Sequence, residues 1–81
     1  MSEEKILVEL EEIISDYVEI EEGLDKNMSL QGDMGLDSFG LISMICKIEK
    51  HFNMRIPDYE FPSFVQLDDL IKYIHNNTIM A

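Results

Sequence analysis

The 81-residue sequence contains no tryptophan, only two prolines and a single cysteine, Cys46. One cysteine excludes an internal disulfide and a cysteine metal cluster, and it is typical of a reducing cytoplasm. The apolar runs are too short to span a bilayer. The N-terminal residues have neither the basic nor the apolar region of a secretory signal, so we expect a cytoplasmic protein.

Basic residues are also scarce, with six against 17 acidic residues and a net charge of −11. Because phosphate backbones are bound by basic patches, this argues against nucleic acid as a partner. Residues 1–37 contain twelve acids and two lysines, whereas residues 38–81 contain five acids and four bases. A solvated surface explains most of this asymmetry, and the alternative is electrostatic steering towards basic partner enzymes.

What the sequence does contain is helical periodicity, within a length typical of one domain spanning residues 1–81. Apolar residues at helical spacing predict helices over residues 3–16 and 38–52 and a last helix after residue 66. Residues 58–61 are predicted to form a short helical turn. Ser63 and Gln66 have the spacing of a capping box for the last helix. Strand-like alternation of useful length is absent, so the predicted class is all-α, with three main helices and one short helix.

A long loop, residues 18–36, separates the first two predicted helices. Loops of this length in compact domains are usually functional or disordered. Here apolar side chains recur along the loop, so we predict that it is ordered and anchored to the core. These anchors are Leu24, Met28, Leu30, Met34 and Leu36.

The second helix has a wider apolar arc than packing on one side requires. At about 100° per residue, one stripe of apolar side chains faces the core. Phe39, Ile42 and Cys46 form a second line beside it, towards solvent, and we call these three residues the ridge. Either a neighbouring element covers the ridge or the ridge contacts a partner, and the pattern alone favours neither.

Ser38 begins the second helix, and Asp37 before it is a good N-cap. Gly35 allows a tight turn just ahead of the helix. Amides at a helix N-terminus favour an attached anion such as a phosphate. These local features alone favour a first-turn serine without any function, because serine is common at helix starts.

Several segments resemble acyl carrier proteins at matching spacing over about residues 5–75. Residues 32–39, Gly-Asp-Met-Gly-Leu-Asp-Ser-Phe, resemble the family's attachment motif. The further similar segments are residues 27–30, 48–52, 53–57, 65–66 and 70–74. The resemblance implies a four-helix bundle of the acyl-carrier type with a long first loop, which carries out no catalysis itself.

The resemblance also implies a site. Ser38 matches the serine to which a separate transferase attaches 4′-phosphopantetheine from coenzyme A. Asp37 matches the acidic residue that helps to bind this transferase and its metal ion. The ridge matches the side of the second helix that docks partner enzymes, namely a loading ligase and an acyl-transferring synthase or transferase. We expect a monomeric carrier of acyl or aminoacyl thioesters.

Departures from the family pattern leave the pathway open. Carriers of fatty acid synthesis usually have a strongly acidic second helix, whereas here Lys47, Lys50 and His51 accompany one acid, Glu49. Gly40 and the later Tyr-Glu-Phe are similar to D-alanyl carrier proteins. Fatty acid, polyketide, peptide and D-alanyl pathways therefore all remain candidates. The alternative from another class is a small acidic helical adaptor that never carries a prosthetic group.

The remaining candidate residues favour structural roles. Cys46 is interpreted as a small apolar residue rather than a nucleophile. His51 and His75 lie near predicted helix ends, where a cation suits the helix dipole. The acidic segment around Glu21 and Glu22 lacks the spacing and glycine of an EF-hand. We find no nucleophile–base pair and no metal cluster, which argues against an enzyme.

Overall fold

The computed structural model describes residues 2–19 and 23–79, with residues 78 and 79 described by their backbone only. It contains helix α1 (Glu3–Ile14), helix α2 (Ser38–Phe52), a 3₁₀ helix (Asp58–Ser63) and helix α3 (Leu67–Ile79). The predicted all-α class, with three main helices and one short helix, is confirmed. Within the described ranges, pairing of the β type is limited to an isolated bridge between Ser29 and Gln66.

Helix α1 begins after Ser2, whose hydroxyl accepts a hydrogen bond from the Lys5 amide at 3.2 Å. It ends at Ile14, two residues before the predicted end. The Ser15 hydroxyl donates to the Glu12 carbonyl at 2.7 Å, and this local bond competes with continued helix. Helix α1 packs against both α2 and α3 through its buried face. That face consists of Ile6, Leu10, Ile13 and Ile14.

Helix α2 has the bounds that the periodicity predicts. The predicted core stripe of α2 is buried at Leu41, Met44, Ile45 and Ile48. Phe52, the last residue of the stripe, is partly buried against the same core. The helix ends at Asn53, which adopts a left-handed conformation with φ of 51°. Asparagine tolerates that conformation better than most residues, so this end is encoded locally.

The described part of the long loop is ordered against the core, as predicted. Leu30, Met34 and Leu36 are buried, and Leu24 and Met28 are partly buried against them. Backbone hydrogen bonds also tie the loop to the start of α3. They run from the Leu30 amide to the Val65 carbonyl (2.8 Å), from Leu67 to Met28 (3.0 Å) and from Asp68 to Lys26 (2.8 Å). Ile20, Glu21 and Glu22, which the loop prediction included, lie outside the described residues.

The predicted capping box of Ser63 and Gln66 is wrong. Ser63 is the last residue of the 3₁₀ helix, and α3 begins only at Leu67. Instead, the Asp69 carboxylate accepts hydrogen bonds from the amides of Val65 at 3.0 Å and Gln66 at 2.9 Å. An acidic side chain in the first turn that reaches back in this way satisfies amides that lack helical partners.

Candidate functional site

Ser38 lies exposed at the first residue of α2. Three local features fix its position. Gly35 takes a left-handed conformation with φ of 73°, which reverses the chain just before the helix. Leu36 is buried and anchors that turn in the core. Asp37 is extended and caps the helix, so the Ser38 hydroxyl is presented to solvent from a rigid helix end.

Asp37 caps α2 as predicted. One carboxylate oxygen, Oδ1, accepts a hydrogen bond from the Gly40 amide at 2.6 Å. The other oxygen makes no hydrogen bond to the part of the chain that the structure describes. A Cβ atom on residue 40 would lie 3.0 Å from Asp37 Oδ1, so Gly40 gives the cap the space it needs. This close approach accounts for a glycine inside the first turn, where it costs helix stability.

The first turn of α2 can accommodate an anion on Ser38. The amides of Ser38 and Phe39 donate no hydrogen bond within residues 2–19 and 23–79, as expected for the start of a helix. They lie at the positive end of the helix dipole. A phosphate bound to the Ser38 oxygen would therefore be next to two free donors, and the residues present fit a phosphopantetheine group.

A groove of about 360 Å³ adjoins Ser38 and lies between α2, the long loop and the 3₁₀ helix. Leu41 and Ile42 line it from α2, and Phe61, Pro62 and Phe64 line it from the 3₁₀ helix and the residue after it. Its volume is within the range of small-molecule sites. The groove residues Phe61 and Pro62 of the 3₁₀ helix were not predicted as part of a site. The sequence indicated them only by the apolar residues in and beside a segment, residues 58–61, that was predicted to be a short helical turn.

The ridge is exposed. The Phe39 side chain is 82% exposed and Ile42 47%, and the free thiol of Cys46 is also exposed. No element of the described chain covers these residues, which removes one of the two interpretations that the pattern left open. Ile42 belongs both to the ridge and to the groove lining, so the two apolar surfaces are continuous beside Ser38.

Most charged groups of α2 are engaged with other elements. The Lys47 Nζ atom lies 3.0 Å from Asp16 Oδ2, and His51 Nε2 lies 3.2 Å from Glu9 Oε1. The hydrogen bond to Asp16 raises the pKa of Lys47 above its usual 10.5. Both pairs connect α2 to α1 or the turn after it, so His51 has a structural contact. No group of three potential metal-ligating side chains occurs among the described residues.

The fold and the site thus define a small helical bundle that presents one exposed serine at a helix N-terminus. Comparison with known proteins identifies the family. The family model described as "Phosphopantetheine attachment site" matches residues 8–74. The chain therefore belongs to the phosphopantetheine-binding acyl carrier family.

Curated relatives agree with this assignment over nearly the whole chain. An acyl carrier protein of Acidothermus cellulolyticus is 32% identical over 82 residues, covering 100% of this chain and 98% of its own. One from Lactobacillus acidophilus is 30% identical over 78 residues, covering 95% and 98%.

Solved structures support the fold. The acyl carrier protein of Thermotoga maritima superposes with a TM-score of 0.81 at 26% identity, covering 94% of this chain and 89% of that one. The protein of Enterococcus faecalis superposes with a TM-score of 0.78 at 23% identity, covering 95% and 99%, and it bears on the fold alone.

Membership of the family gives the chain a carrier role rather than an enzymatic one. The prosthetic group of the family is 4′-phosphopantetheine, and its partners are a phosphopantetheinyl transferase and acyl-handling enzymes. None of the described helices is both long and apolar enough to cross a membrane.

Proposed function

We propose that this chain carries acyl groups as thioesters on 4′-phosphopantetheine attached to Ser38, and that it delivers them to partner enzymes in the cytoplasm. The observation that carries the proposal is the exposed hydroxyl at the first residue of α2, inside the segment that matches the attachment-site family. When bound, the group supplies a thiol for the thioester. The relatives' name favours acyl cargo over aminoacyl cargo, and the pathway depends on the loading enzyme.

Ser38 needs no catalytic base of its own. Its oxygen forms the new bond to the pantetheine-side phosphorus of coenzyme A while the phosphoanhydride bond of coenzyme A breaks and adenosine 3′,5′-bisphosphate leaves. The hydroxyl proton passes to a base of the transferase. The free amides of the first turn then face the phosphate, which they stabilise by hydrogen bonding and by the helix dipole. The chain's own contribution is to hold this oxygen at a fixed, accessible position.

Asp37 is proposed to serve the helix and the transferase at once. Its Oδ1 atom is used by the Gly40 amide, whereas the second carboxylate oxygen is available to a metal ion that the transferase brings. A single carboxylate does not make a metal site, so the other ligands would come from the transferase and its substrate.

The ridge is proposed to dock partner enzymes. Exposed apolar side chains beside a modification site favour a protein contact, and Phe39 is the most exposed large apolar residue described. Its exposure predicts that Phe39→Ala lowers stability by less than about 0.5 kcal/mol. The same change should slow acyl transfer to a partner at least severalfold. A melting temperature far below the wild-type value would show instead that Phe39 belongs to the core.

The proposal is tested by incubating the chain with coenzyme A and a broad-specificity phosphopantetheinyl transferase and recording the intact mass. We expect a gain of one phosphopantetheine for the wild type and none for Ser38→Ala. The matched control is Ser63→Ala, which removes another exposed serine hydroxyl and should leave the gain unchanged. A folded wild-type chain that gains no mass would favour the adaptor alternative.

Circular dichroism completes this test. Because the Ser38 side chain faces solvent, Ser38→Ala should melt close to the wild type. A large drop in melting temperature would contradict the proposed presentation of the hydroxyl, whatever the mass spectrum shows.

A further inference from the structure

The charges on α2 restrict which partner surfaces can bind to this helix. We infer that the surface opposite the ridge is an apolar recess for Phe39 and Ile42 with an uncharged or acidic border, and not a cluster of lysines and arginines. This inference rests on the proposed docking role of the ridge, and it adds which partner surfaces that ridge accepts.

The carboxylates on α2 and at its N-cap are those of Glu49 and Asp37. Glu49 is the only acid within the helix, it is half-buried, and its Oε2 atom accepts a hydrogen bond from the Ile56 amide at 3.1 Å. The hydrogen bond to Ile56 holds the Glu49 carboxylate against the segment that joins α2 to the 3₁₀ helix. Asp37 remains at the Ser38 end, where its Oδ1 atom caps the helix.

The basic side chains of α2 are Lys47, Lys50 and His51. Lys47 and His51 are paired with acids outside α2, at 3.0 Å and 3.2 Å. Lys50 is exposed and forms no ion pair with the described residues. Eleven residues separate it from Phe39, which places the two about 16 Å apart along the axis and within about 20° around it. Lys50, which has no ion-pair partner among the described residues, therefore lies on the same exposed face of α2 as Phe39, towards the other end of the helix.

Most acids of the chain precede α2. Residues 1–37 contain twelve of the 17 acids, and five of them lie on α1, where Glu4 and Glu12 are exposed and the other three are half-buried. A strongly basic partner would be attracted to this region by long-range steering. At the contact itself, screening over about 8 Å leaves only nearby charges to decide. Lys50 lies one helical turn, about 6 Å, beyond Cys46, so it repels a basic cluster at that end of the ridge. The carboxylate of Asp37, at the Ser38 end, is assigned to the helix cap and to the metal ion of the transferase. Such a partner would bind with the ridge turned away.

The experiment uses two phosphopantetheinyl transferases as probes, one with a basic carrier-binding surface and one with an apolar surface. The quantity compared is kcat/KM for modification of Ser38 in the full chain. We expect the apolar-surface transferase to be at least tenfold more efficient with the wild type. Phe39→Ala should reduce its efficiency about tenfold or more, as for an aromatic hot spot.

The charge variants address the basic-surface transferase. Lys50→Glu should raise its kcat/KM about threefold to tenfold, and this gain should shrink at high ionic strength. Lys5→Glu makes the same charge change at an exposed position on α1 and should alter the rate by less than about twofold. Lys50→Gln checks that any effect follows charge rather than loss of the lysine stem, and thermal melts check that every variant is folded.

Two results would overturn the inference, and they differ in what they say about the proposed function. If the basic-surface transferase modifies the wild type as efficiently as the other and Lys50→Glu brings no gain, the carrier role stands and the assigned partner chemistry is wrong. If neither transferase modifies the folded chain, both the carrier role and the inference built on it fail.

Discussion

Asp37 offers a prediction that separates helix capping from transferase binding. Asp37→Ala removes the acceptor that bonds the Gly40 amide at 2.6 Å. Loss of an N-cap of this kind costs about 1 kcal/mol. In a domain of this size, that free energy lowers the melting temperature by about 4–8 °C. Asp37→Asn keeps a good capping side chain and loses only the favourable charge at the helix N-terminus, which at an exposed position in physiological salt contributes about 0.3 kcal/mol.

The two variants should therefore differ in stability and agree in modification. Both lack the free carboxylate oxygen that we assign to the transferase's metal ion, so both should be modified at least tenfold more slowly than the wild type. The assay pairs thermal unfolding by circular dichroism with initial rates of phosphopantetheinylation, measured well below the melting temperature of each variant.

Ser2→Ala is the matched control, because the Ser2 hydroxyl caps α1 by accepting from the Lys5 amide. It should lower the melting temperature as a lost cap does and leave the modification rate unchanged. The reasoning is refuted if Asp37→Asn is modified as fast as the wild type. An unchanged melting temperature for Asp37→Ala would refute the capping argument.

Two further predictions concern stability. Ile45→Ala empties a fully buried position of α2 and should lower the free energy of unfolding, measured in urea, by about 2–5 kcal/mol. Val8→Ala, at an exposed position of α1, should change it by less than about 0.5 kcal/mol. Equal effects of the two substitutions would contradict the described core. The second prediction concerns Tyr73, whose pKa is raised above its usual 10.0 by burial and then by the charge of Glu60. The folded state therefore holds the Tyr73 proton more tightly than the unfolded state does. The stability that this difference contributes is lost as the pH rises above 10.0. Tyr73→Phe should therefore lose less stability in alkali than the wild type, and identical alkaline profiles of the two proteins would show that Tyr73 does not titrate as described.

The features that the sequence predicted well depend on neighbouring residues. The bounds of α2 follow from the apolar period, from the Asp37 cap and from the left-handed Asn53, and all three lie within one segment. The long loop was recognisable as ordered because its apolar side chains recur at short intervals. The failed capping box shows the limit of such local patterns. Asp69 takes the Gln66 amide that Ser63 would have accepted from, and a short motif does not rank such competitors.

The features that the sequence did not predict join distant residues. The groove beside Ser38 brings Leu41 together with Phe61 and Phe64, some twenty residues later. The ion pair of Lys47 with Asp16 and the orientation of Glu49 towards Ile56 decide which charges α2 displays. None of these contacts has a periodic signature, because each depends on how the helices are packed.

The sequence alone determined that this chain is helical, that Asp37 is the N-cap of the second helix and that Ser38 lies in a segment that resembles a phosphopantetheine attachment site. These properties are local, since hydrogen-bonding patterns and side-chain periods are set within a few residues. Only the tertiary structure decided that the ridge is uncovered, that a groove adjoins Ser38 and that Lys50 is the lysine of α2 left without an ion pair among the described residues. Exposure and charge pairing depend on which surfaces meet, and packing determines that.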